Sequence, residues 1–436
     1  MKGRQGMNLE ITPPRALRGI TRVPGDKSIS HRAAMLGALA EGDTHIENFL
    51  MGADCLATVK CLAEMGVSFT GPDKKGRLTV HGRGPAGLKE PENVLDAGNS
   101  GTTIRLMLGI LAGLSFFTVI TGDASLRRRP MKRVTAPLSR MGARIWGRQG
   151  ANLAPLAVRG GELQGDSFSL PVASAQVKSA LLLAGLSARG ETRVAEPAPS
   201  RDHTERMLQY FGAEIHKEGL TVTIKGGQVL AGRRVTVPGD ISSAAFLMVA
   251  AAVVPGSDVT IREVGINPTR DGILEVMRAM GADLEIFNRH QLGGEPVADI
   301  RVRHSRLRGV TIGGELIPRL IDEIPVLAVA GALAEGELEV RDAAELKVKE
   351  SNRIATVVEE LRKFGVEVEA LADGLRVRGG RPLTGTSCAS HGDHRIAMAM
   401  AVAGLAARGK TVIQDAGCVD VSFPGFASIL SSLRVD

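Results

Sequence analysis

Val23-Pro-Gly-Asp26 returns as Val237-Pro-Gly-Asp240, and each copy opens an alanine-rich apolar stretch. The offset from 23 to 237 is 214 residues, half of the 436-residue chain, which marks a duplication. Working outward, apolar stretches ending in glycine recur at Ser28–Gly42, Gly98–Gly113, Ser174–Gly190, Ser242–Gly256, Leu320–Gly336 and Gly392–Gly409. They are apolar on most faces, so the pattern predicts helices buried inside their domains. Most lead into β-branched strands such as Ser257–Val264 and Glu337–Ala343. A second, amphipathic helix then stops at Met65-Gly66, Met141-Gly142, Phe211-Gly212, Met280-Gly281 and Phe364-Gly365, with the glycine as C-cap. A degenerate sixth copy, Phe426–Leu433, lies near the end of the sequence. Three such units of about 70 residues fill each half. Proline and glycine in the two repeated tetrapeptides mark the crossovers. The expected fold is therefore α/β with two similar domains. One covers 25–238 and the other 1–24 with 239–436, with hinges near 22–25 and 237–240 suited to closure.

Apolar residues make up 44% and charged residues 23%, a balance that predicts a well-folded globular protein. No apolar run reaches the roughly 18 residues of a membrane helix, and no apolar signal core follows the N-terminus, so a cytoplasmic protein is expected. Cys55, Cys61, Cys388 and Cys418 lack paired spacing, and the nine histidines form no metal motif. No metal and no cofactor is expected. The net charge of +7 invites a nucleic-acid reading, but aromatic content of 3% leaves too few stacking platforms. Small anionic substrates explain the basic excess better.

The polar residues gather where the buried helices begin, and there free N–H groups and the helix dipole favour anions. Lys27, Ser28, Ser30, His31 and Arg32 open the first helix around what reads as a serine-capped start. Gly98-Asn99-Ser100-Gly101-Thr102-Thr103 is a glycine turn with Arg105 one turn in; no lysine follows the second glycine, so it is not a Walker loop. Ser174, Gln176 and Lys178 open the third helix. Asp322 and Glu323 precede the fifth, and Asp393, His394 and Arg395 begin the sixth. Arg129 ends an arginine run held rigid by Pro130, and its fork suits carboxylate and phosphate. Lys349 and Arg353 fall at i and i+4 on one expected helical face, with Glu350 beside them as a proton carrier. Each site alone reads equally as a capped helix with solvated cations. Five of six together are harder to explain that way.

Nine segments taken in order, PGDKSISHR (24–32), GNSGTTIRL (98–106), RRRPM (127–131), SAQVKSALLLAGL (174–186), SRDHTE (200–205), IDEIPVLAVAG (321–331), KVKESNRI (347–354), GDHRIAMA (392–399) and SFPGF (422–426), resemble the 5-enolpyruvylshikimate-3-phosphate synthase family. The resemblance implies two domains of three βαβαββ units each, an inside-out α/β barrel with helix N-termini facing an interdomain cleft. It implies transfer of the enolpyruvyl group of phosphoenolpyruvate to shikimate 3-phosphate, in chorismate biosynthesis, by a monomer. By resemblance Lys27, Ser28, Arg32, Ser174, Gln176, Arg201, Asp322 and Lys349 hold shikimate 3-phosphate. Lys27, Asn99, Gly101, Arg129, Gln176, Arg353 and Arg395 hold phosphoenolpyruvate. Asp322, Glu350 and Lys27 are the implied catalytic residues, and glyphosate is the implied inhibitor. The sequence departs from the family at Val421, where many members carry lysine, at Ala175, where some have serine, and at Leu106, where many have proline. The sister transferase acting on UDP-N-acetylglucosamine fits less well, because the stretch around Arg129 has no cysteine. A basic nucleic-acid-binding repeat protein has no use for the paired acids Asp322 and Glu350. An inactive relative serving as a binding subunit is a third alternative, and it leaves the matched acids and cations without a purpose.

Overall fold

The computed structural model describes residues 6–436. Helices alternate along it as pairs: α1 (Lys27–Leu39) with α2 (Ala53–Glu64), α3 (Gly101–Ala112) with α4 (Lys132–Arg140), and α5 (Ala175–Gly185) with α6 (His203–Tyr210). The other half repeats this as α7 (Ile241–Val253) with α8 (Gly272–Ala279), α9 (Ile324–Leu333) with α10 (Arg353–Lys363), and α11 (His394–Ala406) with α12 (Phe426–Leu433). The odd-numbered helices are buried along nearly their whole length, as their all-round apolar sequences require. Behind α2, α4, α6, α8 and α10 the expected glycines 66, 142, 212, 281 and 365 all take positive φ, between 85° and 118°, where a β-carbon is unfavourable.

Among the described residues the strands form six sheets. In five of them the strand after a buried helix pairs parallel with a neighbour and antiparallel with a hairpin; in the sixth its antiparallel partner is the N-terminal strand Leu9–Ile11. Thus Glu191–Ala195 lies parallel to Ser167–Ser169 and antiparallel to Thr221–Lys225, and Glu337–Val340 lies parallel to Thr311–Ile312 and antiparallel to Leu375–Arg378. The N-terminal strands serve the second half: Leu9–Ile11 pairs with Thr411–Gln414, and Ala16–Thr21 with Asp258–Gly265.

Two compact units result, one of residues 25–237 with 291–295, the other of residues up to 24 with 238–290 and 296–436. Each has its own apolar core. In the unit of 25–237, α3 and α5 approach so closely that a β-carbon on Gly109 would stand 2.2 Å from the Ala180 carbonyl oxygen. Gly109→Ala is therefore expected to destabilise the protein by about 1–3 kcal/mol, since backbone has to move; urea unfolding with an unchanged midpoint would contradict this close packing.

One local expectation needs correction. Ser28 does not cap α1: Asp26 does, its side chain accepting from the Ile29 amide at 2.9 Å. Asp240 does the same for α7 through the Ser242 amide at 2.7 Å. Carboxylates make strong caps because they accept orphan N–H groups and meet the positive end of the dipole. Both repeated tetrapeptides are thus helix starts, and Ser28 lies in the first turn.

Candidate active site

In the unit of 25–237 the nominated groups are fixed by polar contacts, some buried and some partly exposed. Lys27 donates to Asp54 Oδ2 at 2.5 Å. Arg32 is buried, giving Nε to Thr204 (2.6 Å), one terminal nitrogen to the Ser28 carbonyl (2.9 Å) and the other to Ser179 (2.8 Å). Burial lowers its pKa to about 10, with Glu205 and Asp26 opposing and nearby Arg201 assisting. Arg32 thereby joins α1 to α5 and α6. His31 Nδ1 meets Thr58 at 2.7 Å, Thr58 meets Thr103 at 2.7 Å, and Thr103 donates to Ser100, the cap of α3, at 2.8 Å. This chain links the starts of α1 and α3.

Burial pushes the His31 pKa down to about 3, with Asp54 opposing and Lys27 and Arg32 assisting, so the ring is neutral. An unfolded histidine protonates at about 6.5, so below that pH the unfolded state binds more protons and stability falls toward about pH 3. The slope from this group approaches about 1.4 kcal/mol per pH unit. His31→Asn should flatten the acid limb of urea-derived stability between about pH 6 and pH 4. An unchanged limb would remove His31 from the acid response.

Asn99 and Arg129, far apart in sequence, meet: Arg129 donates to Asn99 Oδ1 at 2.7 Å, and Asn99 donates to Asp123 at 2.6 Å. Gln176 donates to Thr102 at 3.1 Å and accepts from Arg105 at 2.8 Å. A β-carbon on Gly101 would stand 2.8 Å from an Arg105 nitrogen and 3.3 Å from one of Arg129, so glycine leaves room for both forks. Ser174 caps α5, and its own amide donates to Glu196 at 3.1 Å. Lys178 is buried between Glu196 (2.6 Å) and Glu205 (2.7 Å); the two carboxylates outweigh burial and raise its pKa.

In the other unit everything centres on Arg353, 1% exposed. Its Nε donates to Asp393 at 2.8 Å, and its terminal nitrogens to Asp322 at 3.1 Å and Glu350 at 2.6 Å. Burial opposes its charge, but Glu350, Asp393 and Asp322 together raise the pKa further. Asp393 is held below the usual carboxylate range: burial works against this, and Arg353 prevails. Arg395 donates to the Asp322 carbonyl at 3.0 Å, with 3.8 Å from its guanidinium to each of the Asp322 and Glu323 carboxylates. Asp322, Glu350, Arg353 and Arg395 thus form one cluster.

Lys349 does not share a helical face with Arg353. Asn352 caps α10, accepting from the Ala355 amide at 3.3 Å, so the helix starts only at Arg353. Lys349 is extended and pairs with Glu345 at 3.3 Å. Sequence reasoning noted Arg105 one turn into its helix but gave it no substrate role, and it did not nominate Asp54 or Asp123. Nothing local distinguishes them from surface residues; only tertiary packing brings them to Lys27, Gln176 and Asn99. Among the described residues no helix is long and apolar enough to cross a membrane.

Cations at successive helix starts, and three carboxylates sharing one guanidinium, make an α/β protein suited to anionic substrates and proton transfer. Comparison with known proteins makes this specific. The family model for EPSP synthase (3-phosphoshikimate 1-carboxyvinyltransferase) matches residues 11–430. The 3-phosphoshikimate 1-carboxyvinyltransferase of Desulforamulus reducens is 62% identical over 430 residues, covering 99% of this chain and 100% of the relative. That of Pelotomaculum thermopropionicum is 62% identical over 431 residues, with the same coverage. The EPSP synthase structure from Acinetobacter baumannii matches at a TM-score of 0.89 and 46% identity, over 98% of each chain. The chain belongs to the EPSP synthase family, and it has the enolpyruvyl transferase fold that the resemblance implied.

Proposed function

We propose that the chain transfers the enolpyruvyl group of phosphoenolpyruvate to the 5-hydroxyl of shikimate 3-phosphate and releases phosphate. The observation that carries this is the Asp322–Arg353–Glu350 cluster with Arg395 beside it, two proton carriers among cations in a family named for the reaction. The hydroxyl oxygen adds to C2 of the enolpyruvate while C3 takes a proton, giving a tetrahedral ketal. Loss of phosphate from C2 and of a proton from C3 then restores the enol ether. Asp322 takes the hydroxyl proton, and Glu350 delivers and later removes the C3 proton. Lys27 offsets charge at the reacting centre and on the leaving phosphate.

Shikimate 3-phosphate is assigned to Lys27, Ser28, Arg32, Ser174, Gln176, Arg201, Asp322 and Lys349. Three of the five Arg32 N–H groups serve protein oxygens and fix the guanidinium beside Ser28, which leaves two N–H groups for the substrate. Phosphoenolpyruvate is assigned to Lys27, Asn99, Gly101, Arg129, Gln176, Arg353 and Arg395, which supply guanidinium forks for its phosphate and carboxylate. Both groups of residues belong to one reaction, so neither unit works alone. The four cysteines are free, in keeping with a cytoplasmic enzyme.

Phosphate release is expected only when both substrates are supplied, without added metal, and it should be inhibited by millimolar glyphosate at limiting phosphoenolpyruvate. Release with UDP-N-acetylglucosamine as acceptor, or an absolute nucleotide requirement, would overturn the reading.

A further inference from the structure

Two groups on α10 grip the same loop. Arg353 and Glu360 are seven residues apart, two helical turns, and so share a face. Glu360 is fully buried. Its Oε1 accepts from His391 Nε2 at 2.6 Å and from Lys363 at 2.8 Å; its Oε2 accepts from the Ala389 amide at 3.1 Å and from Lys363 at 3.0 Å. Arg353 holds Asp393 from the other end of the loop at 2.8 Å. Between these grips His391 and Gly392 take positive φ, 53° and 67°, so the chain turns sharply there. Asp393 in turn caps α11, accepting from the Arg395 amide at 3.0 Å.

We propose that Glu360 is a positioning residue for the phosphoenolpyruvate part of the site: through His391 and the Ala389 amide it sets where Asp393 and the first turn of α11, with Arg395, stand relative to Arg353. This rests on the assignment of Arg353 and Arg395 given above. A metal ion is the competing occupant, since donor atoms of Glu359, Glu360 and His391 lie within 4.8 Å of one another. The ammonium of Lys363, seated on both Glu360 oxygens, already supplies the positive charge there.

The test is steady-state kinetics with each substrate varied in turn, on Glu360→Gln and on His391→Ala, each first shown to be folded by circular dichroism. Both variants should raise KM for phosphoenolpyruvate by about tenfold, with kcat and KM for shikimate 3-phosphate within about twofold. His391→Gln, whose amide can donate to Glu360, should recover part of the loss, and the exposed Glu359→Gln should change nothing. Arg395→Lys is the reference for the site itself. If it raises KM for phosphoenolpyruvate and the two loop variants do not, the positioning role is wrong. A lower melting temperature with unchanged KM values in the loop variants would also overturn it. If Arg395→Lys leaves that KM unchanged, the site assignment fails, and this inference fails with it.

Discussion

Arg353→Met is expected to cost about 3–5 kcal/mol of stability and to abolish turnover, because it leaves Asp322, Glu350 and Asp393 together with their shared cation gone. The volume is nearly conserved, so the effect separates the charge and its hydrogen bonds from packing. Asp393 has a depressed pKa in the folded protein, so its contribution is present above the ordinary carboxylate value and is lost as pH falls through the folded one. The gap between wild type and variant should therefore narrow in acid, as the stranded carboxylates take up protons. Urea unfolding across pH measures this. A gap that stays constant from about pH 7 to about pH 3 would place its origin in packing rather than in the ion cluster.

Asp322→Asn should lower kcat by about 10²–10⁴ while shikimate 3-phosphate still binds. Asparagine keeps the shape and retains an oxygen for Arg353, which donates to Asp322 Oδ1 at 3.1 Å, so the cluster survives. It cannot take up the hydroxyl proton. Glu350→Gln should lose a similar factor at the C3 proton transfer, because glutamine neither gives nor accepts a proton there. Near-normal turnover in both variants would remove the two acids from the mechanism.

The architecture was readable because it is written in local chemistry. Helices apolar all round have to be buried, and the Met-Gly and Phe-Gly stops need the positive φ that glycine supplies. The polar helix starts were readable for the same reason, since Ser100, Ser174 and Asp393 sit as caps next to cations. What escaped was the competition between neighbouring candidates. Asp26 outcompetes Ser28 as a cap because a carboxylate gains from the dipole as well as the hydrogen bond. Asn352 starts α10 where i, i+4 spacing alone would carry a helix back through Lys349. Partners such as Asp54 for Lys27, or Glu360 for His391, depend on which helices pack together, and spacing along the chain carries no trace of that.

The pairing of the N-terminal strands has a consequence for synthesis. Leu9–Ile11 finds its partner in Thr411–Gln414, about 400 residues later, so a ribosome adding about 5–20 residues per second leaves it waiting for roughly 20–80 seconds. During that interval the segment 25–237 emerges with its own sheets and core, lacking only residues 291–295. The unit that begins the chain is thus the last to be completed. Its first strands, short and rich in polar neighbours, have to remain unpaired without drawing another chain onto their edges.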